Sequence, residues 1–169
     1  MHRDPPEPPT GGDIVVVRVG DLRLAEHPEV LLTRALGSCV GLTMWDPATK
    51  IAAMAHIMLP EADEPRTRCS PSRFASSAVP LMVERLAEQG CPRRRLRVKL
   101  AGGAAMFKAE SGIERIGARN AAEVKAQLGR LGMTLESEDT GGMHARTIEL
   151  RLDTGVLLVR SYVYGMREI

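Results

Sequence analysis

CVGLTMWDPATKIAAMAHIML, residues 39–59, is the stretch from which the fold can be read. Two extended apolar runs flank Asp46-Pro47-Ala48-Thr49, a short turn-forming segment, and together they predict a β-hairpin. Taking Asp46–Thr49 as the loop pairs Trp45 with Lys50 and, six residues further along each strand, Cys39 with His56. Directly opposed β-carbons lie about 4.5–5.5 Å apart on one face. That suits a thiol–imidazole pair, in which the ring takes the thiol proton and creates the nucleophilic thiolate. A five-residue loop puts the two side chains on opposite faces instead, and a Cys and a His on apolar strands are more often inert core residues. Spacing alone leaves both readings open. The same holds for Gly37-Ser38 just before Cys39. A glycine turn ahead of a nucleophile can aim backbone N–H groups at a developing oxyanion, and it can equally be an ordinary loop.

Strand and helix signals extend outward in both directions. IVVVRVG (14–20) is β-branched, and LRLAE (22–26) alternates until His27-Pro28 breaks it. VLLTRALGSCV (30–40) fits either a short helix or a strand entering a turn at Gly37-Ser38. Residues 60–72 are rich in proline and charge, as an exposed loop is. Phe74, Ala78, Leu81, Met82 and Leu86 recur at helical spacing up to Gly90, with Pro80 marking a kink or a start. LRVKLAGG (96–103) reads as a strand running into a glycine turn. Asn120 and Glu123 form a capping-box pattern ahead of Val124, Leu128 and Leu131, and Gly132 closes that helix. MTLESED (133–139), RTIELRL (146–152) and VLLVRSYVY (156–164) read as strands, the last two joined at Asp153-Thr154-Gly155. Many strands and two good helices predict an α+β chain: a layered α/β sandwich with a mixed, mostly antiparallel β-sheet. One domain is expected over 14–169, behind a proline-rich extended tail at 1–13.

Composition narrows the function. The chain has 169 residues, with 23 Lys+Arg against 21 Asp+Glu and a formal net charge of +2. No large field therefore steers it to nucleic acid or into an acidic membrane. Aromatic residues make up 3%, thin for stacking bases. Ile51–Leu59, the most apolar stretch, is too short to span a bilayer, and no targeting segment is apparent. Cys39, Cys69 and Cys91 form no C-x-x-C pair, and no cluster has metal-ligand spacing, so no metal and no cofactor is expected. The odd thiols suit a reducing cytoplasm. Gly102-Gly103 and Gly141-Gly142 lack a phosphate-loop frame and read as tight turns or close backbone approaches. Arg93, Arg94, Arg95, Arg97 and Lys99 read as a solvated strand start more readily than as an anion contact. His144 reads as a surface residue, Cys69 as a loop thiol without a role, and Cys91 as packed.

LGSCVGLTMWDP (36–47), AHIMLP (55–60), RFASSAVPLMVERLAEQG (73–90), KLAGGAAMF (99–107), IGARN (116–120) and DTGGMHARTIEL (139–150) together resemble, in order, the motifs of the CheD family of bacterial chemotaxis glutamine deamidases. The resemblance implies a protein-glutamine glutaminase that converts particular glutamines of methyl-accepting chemotaxis receptors to glutamate, releasing ammonia. It implies a Cys-His-Thr triad on Cys39, His56 and Thr33, with Gly37, Ser38, Gly102 and Gly103 about the oxyanion and the substrate. It also implies a fold shared with a bacterial toxin deamidase domain and, in some bacteria, CheC phosphatase as a partner. Four positions depart from the family's usual pattern: Ser76-Ser77 stands for Asp-Thr, Ala145 for Gly, and Ala35 for Gly. A second reading from another class is a binding module that holds CheC or a receptor with little catalysis. If His56 reaches Cys39, an ion pair lowers the thiol pKa, whereas burial raises it.

Overall fold

The computed structural model describes residues 12–62, 69–106 and 116–169. Within them the chain runs β1 (Ile14–Val16), β2 (Leu22–Glu26), β3 (Val30–Leu36), β4 (Val40–Asp46), β5 (Ile51–Ile57), α1 (Ala75–Glu88), β6 (Arg97–Gly102), α2 (Ile116–Arg130), β7 (Leu135–Thr140), β8 (Arg146–Arg151), β9 (Leu157–Ser161) and β10 (Gly165–Glu168). The strands form two five-stranded sheets, ordered β1-β3-β8-β9-β10 and β2-β5-β4-β6-β7. Only β1–β3 and β6–β7 pair in parallel. The chain is thus an α+β sandwich with mixed, mostly antiparallel sheets, as the sequence predicts.

The second sheet is the middle layer. One of its faces carries Leu42, Met44, Ala53, Ala55 and Ile57, which pack against Ala78, Met82 and Leu86 of α1 and Val124 and Leu128 of α2. The other carries Trp45, Ala52, Met54 and Ala101 against Leu31, Leu36, Ile148 and Leu150 of the first sheet. All seven residues of β4 are buried, as are six of the seven in β5. A strand covered on both faces is apolar throughout rather than alternating, which is why residues 40–57 read as continuous apolar runs. Each large side chain buried here contributes about 1.5–3 kcal/mol.

Three expectations need correction, and two readings left open are settled. The hairpin loop is Pro47–Lys50, not Asp46–Thr49: Asp46 pairs with Ile51, and His56 faces Gly41 rather than Cys39. Asp46 causes the difference. Its backbone carbonyl accepts from Lys50 N–H (2.9 Å) and its Oδ1 accepts from Ala48 N–H (2.9 Å), while Lys50 takes a left-handed φ of 59°. Residues 30–36 are strand, which settles an open reading. The second helix begins at Ile116, so Asn120 lies in its second turn, fully buried, and is not a cap. VLLVRSYVY is not one strand: β9 stops at Ser161, and Tyr162-Val163-Tyr164 turn into β10. In addition, α1 runs through Pro80 rather than starting there. The tail expectation over residues 1–11, the loop at 63–68 and the motif residue Phe107 lie outside the described residues, though Asp13, assigned to the tail, already accepts from Val30 N–H (3.1 Å).

Arg95, from the basic run, is part of the hairpin's foundation. It grips the buried Asp46 carboxylate through Nη2 (2.6 Å) and Nε (3.1 Å). The guanidinium holds Asp46 down to about 2. A carboxylate with a depressed folded pKa contributes stability above its ordinary value near 4, and loses it as pH falls toward 2. Urea denaturation of wild type and Asp46→Asn should show a stability gap that is constant above about pH 5 and shrinks between about pH 4 and pH 2. Ala35 offers a test of opposite sign. It sits at φ 58° in the irregularity of β3 between Thr33 and Leu36, a conformation that favours glycine. Ala35→Gly should raise stability, by up to about 1 kcal/mol after the entropy gained by the unfolded chain, read from the same denaturation curves.

Candidate active site

Thr33 is on β3 of the first sheet and His56 on β5 of the middle sheet, and their side chains meet across the gap. Both are buried. Thr33 Oγ1 lies 2.7 Å from His56 Nδ1 and donates its only proton to the Val17 carbonyl, also at 2.7 Å. A hydroxyl that has spent its proton on a carbonyl can only accept from its other neighbour. His56 therefore carries hydrogen on Nδ1, and its Nε2 holds a bare lone pair. Among the described residues that buried Nε2 has no hydrogen-bond partner, the state required of a proton acceptor waiting for its donor.

Cys39 immediately precedes β4 and packs, half-buried, against the inter-sheet core. It stands two residues before Gly41, the cross-strand partner of His56, so thiol and imidazole are diagonal neighbours on the inter-sheet side rather than directly opposed. Gly41 has no room for a side chain, because a β-carbon there would strike Ile148 Cδ1. Burial pushes the Cys39 thiol pKa up, offset in part by its own backbone N–H, and burial pushes His56 down. Burial thus moves both groups toward their neutral forms.

The backbone before Cys39 is pinned carbonyl by carbonyl. Gly37 C=O accepts from Ala104 N–H (2.8 Å), and Cys39 C=O from Gly103 N–H (2.8 Å). Ser38 C=O accepts from Asn120 Nδ2 (2.9 Å), whose other proton goes to Met58 C=O (2.9 Å). With the carbonyls held, the amides of Ser38 and Cys39 are left without an acceptor in any other described residue. Gly37 N–H is engaged with Ala35 C=O (3.0 Å). Gly102 and Gly103 pack against the Cys39 carbonyl. Gly102, at φ 105°, has Cys39 C=O where a β-carbon would be, and Gly103 has the backbone of Gly117 in α2 at 2.8 Å from the same position.

Sequence reasoning misassigned Asn120 and did not single out Arg146. Asn120 ties the turn before Cys39 to the strand end after His56, beyond the last ladder pair Val40–Ile57. The one available signal was a polar residue on the apolar stripe of α2. Arg146, 3% exposed, clamps Gly141 C=O (2.8 Å) and Asp139 Oδ1 (2.9 Å). It steadies the second glycine pair, whose Gly141 N–H reaches Gly102 C=O (3.0 Å) and whose Gly142 C=O accepts from Ala105 N–H (2.9 Å). Ser77 spends its hydroxyl on Pro71 C=O (2.6 Å). His144 packs edge-on against Tyr164. Cys91 is buried beside Thr49, and Cys69 is half-buried. Among the described residues no group of His, Cys, Asp and Glu is placed to hold a metal ion, and no helix is long and apolar enough to cross a membrane.

Removing the Asn120 donors leaves two half-buried carbonyls unpaired, at up to about 1–3 kcal/mol each. Asn120→Ala and Asn120→Asp should both lower stability. Hydrogen exchange read by mass spectrometry should quicken at the bonded amides of Met58, Gly103 and Ala104 while the β9–β10 amides stay protected as before.

Comparison with known proteins agrees with the motif reading. Residues 58–161 match the family model described as CheD chemotactic sensory transduction. A protein of Clostridium novyi named probable chemoreceptor glutamine deamidase CheD is 39% identical over 159 residues, 93% of this chain and 98% of that one. The chemoreceptor glutamine deamidase CheD of Thermotoga maritima is 43% identical over 145 residues, covering 86% and 90%. A probable chemoreceptor glutamine deamidase CheD of Methanococcus vannielii is 40% identical, covering 87% and 94%. With relatives this similar along nearly their whole length, the chain belongs to the CheD family.

Proposed function

We propose that this chain is a protein-glutamine deamidase of chemoreceptors in which Cys39 is the nucleophile, His56 the general base and then acid, and Thr33 the residue that orients the ring. The observation that carries the reading is the Thr33–His56 bond: with the hydroxyl proton committed to Val17 C=O, the only basic nitrogen is the buried, unpartnered Nε2. The substrate class rests on the relatives' names. Cytoplasmic location belongs to the same reading. The family resemblance also supports CheC phosphatase as a partner, which titration of purified CheC into the chain tests.

The chemistry follows from neutral reactants. As the glutamine carboxamide enters, Nε2 takes the thiol proton and Sγ bonds to the carboxamide carbon. The oxygen that becomes negative is met by the amides of Ser38 and Cys39. The imidazolium returns its proton to the amide nitrogen, the C–N bond breaks, and ammonia leaves a thioester on Cys39. Water adds next, His56 takes its proton, and the thiol departs with that proton, leaving glutamate. Nδ1 donates to Thr33 throughout, because it carries hydrogen in both the neutral and the charged ring.

Incubation with a chemoreceptor cytoplasmic fragment should add about one dalton at a glutamine, seen by mass spectrometry. Cys39→Ala should abolish the gain, and full activity in that variant removes the mechanism. His56→Ala should cost about 10²–10⁴-fold in rate. Thr33→Val should cost less, because the hydroxyl moves no proton to substrate. Since the base must be neutral and burial lowers its pKa, the acid limb of kcat/KM should lie below the ordinary histidine value of about 6.5.

A further inference from the structure

We propose that the end of the sandwich beside the nucleophile turn is a docking surface for an acidic, partly apolar segment of the substrate protein flanking the target glutamine. The inference rests on the deamidase reading and adds the chemistry by which substrate is held.

The first observation is a concentration of exposed apolar side chains. The chain has two tyrosines, and both lie in the turn between β9 and β10. Tyr162 is fully exposed, and Val163 and Tyr164 are 66% and 74% exposed. Met106, Met143 and Met166 are exposed as well. Packing within the chain gives no reason for a fully exposed tyrosine, whereas interfaces are enriched in Tyr and Met.

The second observation is continuity with the site. Met106 stands over Gly37, its Cγ 3.0 Å from where a β-carbon would be. Ala105 N–H bonds Gly142 C=O, next to Met143. His144 packs on Tyr164 with ring centres 4.9 Å apart. A chain of contacts thus links the turn before Cys39 to the β9–β10 turn, with Met106, Met143 and Tyr164 exposed along it. A glutamine arriving at Cys39 brings its flanking chain across it.

The third observation fixes the charge of the occupant. A cleft of about 550 Å³ opens between the β3 irregularity and Tyr162, lined by Arg34, Ala35, Thr147 and Arg160 among others. Arg34 is exposed and makes no ion pair with any described residue. Arg160 meets Glu149 at a long 3.4 Å, and its buried Nε has no partner among the described residues. An exposed guanidinium free of ion pairs among the described residues, and a second held only at long range by Glu149, both beside exposed tyrosines, are suited to carboxylates set among apolar side chains.

The test compares wild type, Arg34→Glu and the double variant Tyr162→Ala/Tyr164→Ala. Two substrates are used: a chemoreceptor cytoplasmic fragment and a short glutaminyl peptide lacking the flanking chain. On the fragment, KM should rise about tenfold or more with kcat held, and Arg34→Glu should flatten the salt dependence of KM. On the peptide, both constants should stay at wild-type values. Fragment binding to Cys39→Ala, with and without Arg34→Glu, reads docking apart from catalysis. If wild type deamidates nothing while Arg34→Glu still weakens fragment binding, the deamidase reading fails and the docking surface stands. An unchanged KM on the fragment with unchanged binding overturns the proposal. So does an equal loss of kcat on both substrates, which marks a structural role. Loss of a wild-type dimer in the tyrosine variant with KM unchanged also overturns it, and assigns the surface to a second copy of the chain.

Discussion

The bond from Thr33 to His56 ties the facing sides of the two sheets at the candidate site, and the arrangement of that site depends on it. Packed sheets stand about 10 Å apart, so side chains that meet at 2.7 Å need the backbones around them to be permissive. Gly41 supplies part of this on the middle sheet, where Ile148 occupies the space a side chain would take. The irregularity in β3 supplies the rest. Between Thr33 and Leu36 the strand slips in register against β8, so Thr33 can face inward before the chain bends toward Gly37. The strained Ala35 is the residue in which that bend is made.

This arrangement bears on how the thiol is activated in the proposed mechanism. A buried thiolate–imidazolium pair costs desolvation on both partners, and here burial moves each group toward its neutral form. The molecule therefore stores no charge separation. It stores orientation: a ring with its proton fixed on one nitrogen, and a turn whose carbonyls are anchored so that its amides point elsewhere. Asn120 belongs to that orientation, since one side chain spans the segments carrying the thiol and the base.

The hairpin was legible because strands buried on two faces leave apolar runs that little else produces, and Pro47 marks their junction. Its register was not legible. Pairing by two residues either way keeps the same faces together, and only the buried Asp46 with its Arg95 partner selects among them. Nothing local in RRR announces that one of three arginines turns inward to a residue 49 positions earlier. The same limit produced the error at Asn120. A cap followed by an acid three residues on is a local pattern, and the helix overran it because its carboxamide is held by distant carbonyls. Cys39, His56 and Thr33 were candidates through motif resemblance, and the structure brings Thr33 and His56 together. Spacing suggested the first two and had no means of reaching Thr33, which lies on another sheet.

A hydroxyl in the orienting position is consistent with this electrostatic setting. A carboxylate at position 33 would be fully buried and would need further donors to remain charged. It would also draw a permanent proton onto the imidazole and raise the pKa that burial keeps low. Threonine relays the constraint to Val17 C=O, a backbone acceptor that cannot titrate, so the tautomer is fixed without adding charge. In the proposed mechanism the imidazolium then gains less stabilisation than beside a carboxylate, and its proton is correspondingly easier to give up. For a reaction whose leaving group is an amine that must be protonated to depart, a base that readily becomes an acid is the more useful partner.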